Sequence, residues 1–358
     1  MITGGVASEL DDRPGILGIG LLAALAVIPV VDHNEQLQEQ FLLGGITAIQ
    51  AYGLQFVWRY CGVFSMAFTA LSGVGAYVCV IMAMHAGAPF WLGALAAIPI
   101  SVALGAIVGL AALRTSGMHF VMLTYALVAA LEVVADNGGS FSGGTSGLTL
   151  FKPIDLGFLS LSPLSEVGPY VLIYVLLLLS IAAVVGLRYL RIGKRLIAGR
   201  DNEVLARALG LRVFVYRVLV IALSGIGSTL AGSVYAFHEY HVEPDLFGAT
   251  ASLQVLVALI LGGMTRWSGP IIGAALTVSI PQYLGLSPLA TQITYGVILI
   301  VVVMAIPGGA SGAPAQVRRW LENGWNQVRH RVAAQPDANA AADASPGEGG
   351  SAEEVMLR

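Results

Sequence analysis

The sequence predicts an all-α fold, a polytopic integral membrane helical bundle of about ten transmembrane or partly spanning helices. Three observations carry that prediction. The chain holds about ten apolar runs, most of them near the roughly 17–25 residues that a bilayer crossing needs. Threaded alternately through a membrane, those runs place all of the 18 Lys and Arg except Lys152 on one side, as the positive-inside rule requires of a multispanning protein. Gly makes up 44 of 358 residues, and helices that associate without a hydrophobic driving force need small residues at their contacts. With 56% hydrophobic and 11% charged residues, against about a quarter charged in soluble domains, an ordinary soluble fold is excluded.

The elements follow in order. Residues 1–14 form an N-terminal cytoplasmic segment. The first apolar run, Gly15 to Val31, follows an acidic stretch and lacks a small-residue cleavage site, so it reads as a span and not as a signal peptide. Further spans are expected at 41–58, 64–84, 90–113, 117–135, 168–187, 214–237, 251–264, 268–285 and 290–306. The run at 251–264 is short, so it is tilted, broken or buried within protein. Residues 15–307 thus make up the transmembrane domain, and 308–358 a cytoplasmic tail. Within that tail, 317–332 fits a short basic amphipathic helix at the inner surface. Residues 335–358 have too little apolar surface to fold. The Gly-rich stretches Gly62 to Tyr77 and Gly262 to Thr277 weakly suggest inverted halves. Cys61 and Cys79 have no metal-ligand spacing and read as packing residues.

Orientation follows from the loop 188–213, which holds Arg188, Arg191, Lys194, Arg195, Arg200, Arg207 and Arg212. With that loop in the cytoplasm, Arg59, Arg114, Arg266 and the basic stretch Arg318 to Arg331 lie there too, and both termini are inside. The external loops then carry Asp32, Glu35, Glu39, Asp136, Asp155, Glu166, Glu243 and Asp245. Arg59 and Arg217, at cytoplasmic ends of spans, read as interfacial anchors.

Four segments have the residue types of a functional element. Residues Gly199 to Gly210 read as a capped two-turn helix, with Asp201 or Asn202 accepting the free N–H groups and Gly210 as a left-handed C-terminal cap. Leu205, Ala208 and Leu209 on one side suit either docking of a soluble partner or contact with lipid headgroups. Ser65, Thr69 and Ser72, at i, i+4 and i+7, place three hydroxyls on one helix face, fit for lining a polar path or for packing helices. Tyr125 and Glu132 share a face of the 117–135 span. A carboxylate there faces a cavity, a partner or the nearby outer surface, because a charge at mid-bilayer costs at least ~2.5 kcal/mol. The segment 137–147, with five glycines in eleven residues, reads as a flexible loop that either touches a delivering protein through Gly143, Gly144 and Thr145 or merely connects.

Four stretches taken in order carry a resemblance. They are Gly62-Val63-Phe64-Ser65 through Gly73-Val74-Gly75-Ala76-Tyr77, Ser142-Gly143-Gly144-Thr145-Ser146-Gly147-Leu148, Arg200-Asp201-Asn202-Glu203 through Arg207-Ala208-Leu209-Gly210, and Leu261-Gly262-Gly263-Met264 through Trp267-Ser268-Gly269-Pro270-Ile271-Ile272-Gly273-Ala274-Ala275. The chain resembles the LivM-like permease subunits of ATP-binding-cassette importers for branched-chain amino acids and related solutes such as urea. It departs from their pattern at Ile306-Pro307-Gly308-Gly309 and at Met66-Ala67-Phe68. The resemblance implies an importer-permease fold in a bacterial inner (plasma) membrane and solute movement by alternating access. It implies two ATP-hydrolysing subunits, a second permease subunit and an extracytoplasmic solute-binding protein as partners. It also implies that Asp201, Asn202, Glu203, Leu205, Ala206, Leu209 and Gly210 form the element that couples to the ATPase.

Absences narrow the field. No G-x-x-x-x-G-K-[ST] occurs, so the chain is not expected to hydrolyse ATP. No H-E-x-x-H, C-x-x-C or G-x-S-x-G is present, and no enzyme, cofactor or nucleic-acid function is expected. Within transport, a urea or amide permease is the alternative. A secondary transporter driven by an ion gradient would be expected to carry ionisable residues near the midplane, and the spans at 64–84, 90–113, 214–237 and 268–285 have none in their centres. A sensor or assembly scaffold would bind ligand without moving it.

Overall fold

The computed structural model describes residues 35–112, 115, 117–149, 168–285 and 287–305. The expected first span, Lys152, the 317–332 helix and the tail lie outside them. The described residues belong to one compact unit, residues 1–311.

Each expected span within these limits is helical. The bundle begins with α1 (Glu35–Cys61), α2 (Phe68–His85), α3 (Phe90–Ala111), α4 (Met118–Asp136) and α5 (Gly168–Gly186). The basic loop follows as α6 (Arg191–Asp201) and α7 (Glu203–Ala208). The 214–237 run is two helices, α8 (Val213–Ser224) and α9 (Ile226–His238), separated at Gly225. A Ser-Gly pair is a common site for such a break. Here the Ser224 hydroxyl donates to the Ile221 carbonyl (2.8 Å), and a Cβ on Gly225 would meet Leu71 at 2.3 Å. The chain ends in α10 (Ala249–Gly262), α11 (Gly269–Tyr283) and α12 (Pro288–Ala305). Among the described residues, seven helical stretches are long and apolar enough to cross a membrane.

Small residues set the closest contacts. At the α2–α9 crossing, a Cβ on Gly75 would lie 1.9 Å from the Thr229 carbonyl oxygen, and one on Gly232 would lie 2.0 Å from that of Ser72. Backbones can meet this closely only where no side chain intervenes. A buried hydroxyl ties the same seam, with Ser233 donating to Gly75 O (3.0 Å), and another ties α9 to α3, with Thr229 donating to Ser101 Oγ (2.6 Å). The α10–α11 pair is as tight. Ala258 and Gly262 on α10 meet Gly269 and Gly273 on α11, and a Cβ on Gly273 would lie 1.7 Å from Ala258 O.

Helix α1 is the hub, packing against α5, α6, α8, α9, α10 and α11. Tyr52, Leu54, Gln55 and Val57 along it are almost wholly buried. At the other end of the bundle from α6 and α7, β1 (Leu148–Thr149) pairs antiparallel with β2 (His241–Val242), Leu148 opposite Val242. A 3₁₀ turn, Pro244–Phe247, then leads into α10.

Candidate functional site: an anchored basic elbow and an outer clasp

The two ends of the bundle differ in charge. One end gathers Arg59, Arg200, Arg207 and Arg217 around α6 and α7, and the other gathers Glu132, Asp136, Glu239, Glu243 and Asp245 around the strand pair. This separation agrees with the sign pattern of the loops.

At the basic end, α7 lies where the sequence places a short helix, but it starts later than expected. Asp201 is the last residue of α6 and does not cap α7. Asn202 does, its Oδ1 accepting from Leu205 N (3.0 Å). Gly210 has φ +79°, with Leu211 N bonded to Ala206 O (3.0 Å) and Gly210 N to Arg207 O (2.9 Å). That pair of bonds is a Schellman motif, and it stops the helix abruptly. The outward face carries Val204, Leu205 and Leu209, 81%, 57% and 74% exposed, beside exposed Ala208. Ala206 was expected on the coupling surface, but it is buried at 3% and faces the bundle. A bulky residue there would dislodge the helix rather than alter its outer face.

The elbow is held at both sides. The Glu203 carboxylate pairs with Arg207 one turn on and with Arg217 of α8 (3.4 Å). Arg200, on α6, donates to the Arg59 carbonyl (2.9 Å), and its guanidinium lies 5.8 Å from the centre of the Trp58 ring, which stacks on Phe64. Arg217, expected as a lipid anchor, therefore links α7 to α8. The helix α6 was not anticipated. Its signal, visible afterwards, is Ile192, Leu196 and Gly199 on one face of a basic run, with Leu196 and Gly199 buried against the bundle.

The three expected pathway hydroxyls do not share one face. Ser65 precedes α2, and its Oγ accepts from Ala67 N (3.3 Å) at the start of that helix. Thr69 bonds Ser252 of α10, while Ser72 packs against Gly232 of α9. Glu132 accepts from Ala249 N (2.8 Å), the first residue of α10, so the carboxylate caps that helix at its positive end. A Cβ on Gly248 would lie 2.3 Å from the same carboxylate. Thr69 and Glu132 thus both meet the first turn of α10, through Ser252 and Ala249. Tyr125 lies two turns from Glu132 and is exposed.

The glycine-rich segment is a built turn and not the flexible loop expected. Gly143, Gly144 and Gly147 all take positive φ. A Cβ on Gly143 would lie 1.8 Å from Gly147 O, and one on Gly147 would lie 2.2 Å from Val242 O. Ser142 bonds Ala135 O, and Thr145 and Phe141 face outward. His241 joins this turn to the next, within 3.2 Å of Thr149 Oγ1 through Nδ1 and 2.8 Å of Glu243 through Nε2.

Sequence reasoning missed Tyr52 and Gln55 on α1. Gln55 Nε2 donates to Met264 O (3.0 Å) and Arg266 O (2.7 Å), and Tyr52 Oη donates to Trp267 O. The available signal was the pair of amides, Gln50 and Gln55, within the apolar run at 41–58.

Comparison with known proteins adds the following. Residues 37–306 match the family model described as branched-chain amino acid transport system / permease component. The chain is similar to the LivM high-affinity branched-chain amino acid transport permease of Salmonella typhimurium, 24% identical over 65% of this chain and 60% of that protein. It is likewise similar to the ribose import permease RbsC of Escherichia coli, 24% identical over 80% of this chain and 90% of that protein. It is 26% identical to the autoinducer 2 import permease LsrC of Yersinia pseudotuberculosis, over 74% of each. The match spans about 60% of the length of the LivM relatives. No solved structure matches.

Proposed function

The chain belongs to the family of branched-chain amino acid transport permease components, and from that premise we propose that it is the membrane permease subunit of an ATP-binding-cassette importer. It works by alternating access, powered by two separate ATPase subunits, beside a second permease subunit and fed by an extracytoplasmic solute-binding protein. The basic end of the bundle faces the cytoplasm of a bacterial inner membrane. The solute is a branched-chain or related aliphatic amino acid.

The observation that carries this reading is α7. A six-residue helix is too short to persist by itself, yet this one is capped at both ends, anchored through Glu203 and Arg200, and presents Val204, Leu205 and Leu209 outward. Such a surface suits a cleft on a soluble motor subunit. Coupling then needs two discrete packings of the spans. Thr69, Tyr125 and Glu132 are proposed to flank the outer part of the solute path. Gly143, Gly144 and Thr145 are proposed to meet the binding protein. Ser65 and Ser72 are supported only as packing groups by their buried contacts.

A second reading is a sugar-type solute, favoured by the longer shared span with RbsC, 90% of that protein against 60% of LivM. Uptake of labelled leucine and ribose into proteoliposomes containing the assembled importer decides between the two. Changing Val204 and Leu209 to Asp should abolish ATP-driven uptake while the permease remains folded. Uptake that needs no ATP would refute the proposal in favour of an ion-coupled carrier.

A further inference from the structure

The helix α11 has 15 residues, so it is only about 23 Å long at 1.5 Å per residue, short of a ~30 Å hydrocarbon core, and α10 has 14, reaching 19 only with the 3₁₀ turn before it. The turn joining them, 263–268, lies beside Tyr52 and Gln55, which are about 9–14 Å along α1 from its C-terminal residue Cys61. Non-helical backbone within a bundle must find its hydrogen-bond partners in protein. Here one helix supplies them, as Gln55 and Tyr52 take the carbonyls of Met264, Arg266 and Trp267. Gln55 is 0% exposed, and among the described residues its Oε1 has no hydrogen-bond partner. The amide nitrogen supplies both donors at this place.

The same helix holds the elbow about one turn further along, in its last turn. Arg200 bonds the Arg59 carbonyl, and α6 packs along α1. The alternative route, from Glu203 through Arg217 into α8, leads to a helix that packs chiefly on α3 and stops at Gly225. Beside α1, opposite α5, α8 and α9, lies a cleft of about 270 Å³ bordered by Ile49, Gly53, Phe56, Leu179, Ser224 and Leu230.

We infer that α1 is the rod that carries movement of the α6–α7 elbow to the α10–α11 turn, with Gln55 and Tyr52 as the positioning residues that fasten the rod to its load. The inference rests on the proposed docking of α7 to an ATPase, and it assigns a route that docking alone does not require.

The test uses the fully assembled importer, comparing hydrogen exchange at 203–210 and at 263–268 with and without a non-hydrolysable ATP analogue. In the unaltered importer both segments should respond to nucleotide. In Gln55→Met, which keeps length and loses the donors, the response at 203–210 should persist and that at 263–268 should vanish. Leucine moved per ATP should then fall about tenfold while hydrolysis stays within about twofold, the scale expected when buried carbonyls lose their donors. If Gln55→Met does not assemble, Tyr52→Phe, which removes one hydroxyl, carries the same comparison with a smaller drop in the same direction. A response at 263–268 that survives in the variant overturns this inference alone. So does a rise in exchange there that ignores nucleotide and leaves the transport ratio unchanged, the mark of a merely structural role. Silence at 203–210 in the unaltered importer overturns the docking reading, and the rod falls with it.

Discussion

The same substitution, Gly→Ala, should have opposite effects at two helical positions. At Gly75 the new methyl would lie 1.9 Å from Thr229 O, whereas carbon–oxygen contacts settle near ~3.3 Å. The α2–α9 pair must therefore open by about 1.4 Å, and a gap of ~0.5–1 Å already forfeits a quarter to a half of the dispersion attraction. Opening also stretches the 3.0 Å bond from Ser233 to Gly75 O, worth about 1 kcal/mol. Together with overpacking at ~1–3 kcal/mol, Gly75→Ala should cost about 2–4 kcal/mol. At Gly44, inside α1, a Cβ meets nothing within 4 Å, so Ala should stabilise by about 0.5–1 kcal/mol through the lost freedom of the unfolded chain. Unfolding by SDS titration from mixed micelles, followed by far-ultraviolet circular dichroism, measures both. If Gly75→Ala is as well tolerated as Gly44→Ala, the backbone-contact account of the α2–α9 seam is wrong.

Three other outcomes are expected. Asn202→Ala removes the cap of α7 and should cost about 1 kcal/mol locally, seen as faster amide exchange over 203–208 with the remaining helices unchanged. Glu132→Leu leaves Ala249 N unpaired and should cost about 1–3 kcal/mol of stability, whereas Glu132→Gln keeps an acceptor and should lose less; equal losses would remove the capping role. Burial first, and then the Glu39 carboxylate, push the Glu239 carboxyl above its ordinary range, with His238 beside it. A raised acid gives stability that is complete below its unfolded value and is lost as pH rises through the folded one. Glu239→Gln should therefore melt higher than the unaltered protein at pH 8 and not at pH 4, on thermal scans at both.

The spans were legible because length and apolarity alone decide what enters a bilayer, and within the described residues their bounds agree to a few residues. The structure departs from the sequence reading where polar groups serve the fold internally. Ser65 looked helical because Val63 and Phe64 continue the apolar run, yet Gly62 takes φ +71° and the chain turns before α2. The helix α6 was hidden by its arginines, which read as loop until packing selects its apolar side. The 137–147 segment looked flexible from its glycines, but four of them take positive φ in turns that lead into the strand pair. For Glu132, sequence marked a carboxylate in need of a reason. The reason, the N-terminus of α10, is 117 residues away and is set by tertiary structure.

The glycine seam between α10 and α11 restricts how that pair can behave. With carbonyl oxygens of one helix filling the hollows left by missing methyls on the other, a slide by even one residue would drive branched side chains such as Leu259 or Ile272 into a space that admits only hydrogens. The two helices have one alignment and no neighbouring one to slip to. Any change of shape around the turn they share must swing them together, like the two arms of a wedge cut from a single piece.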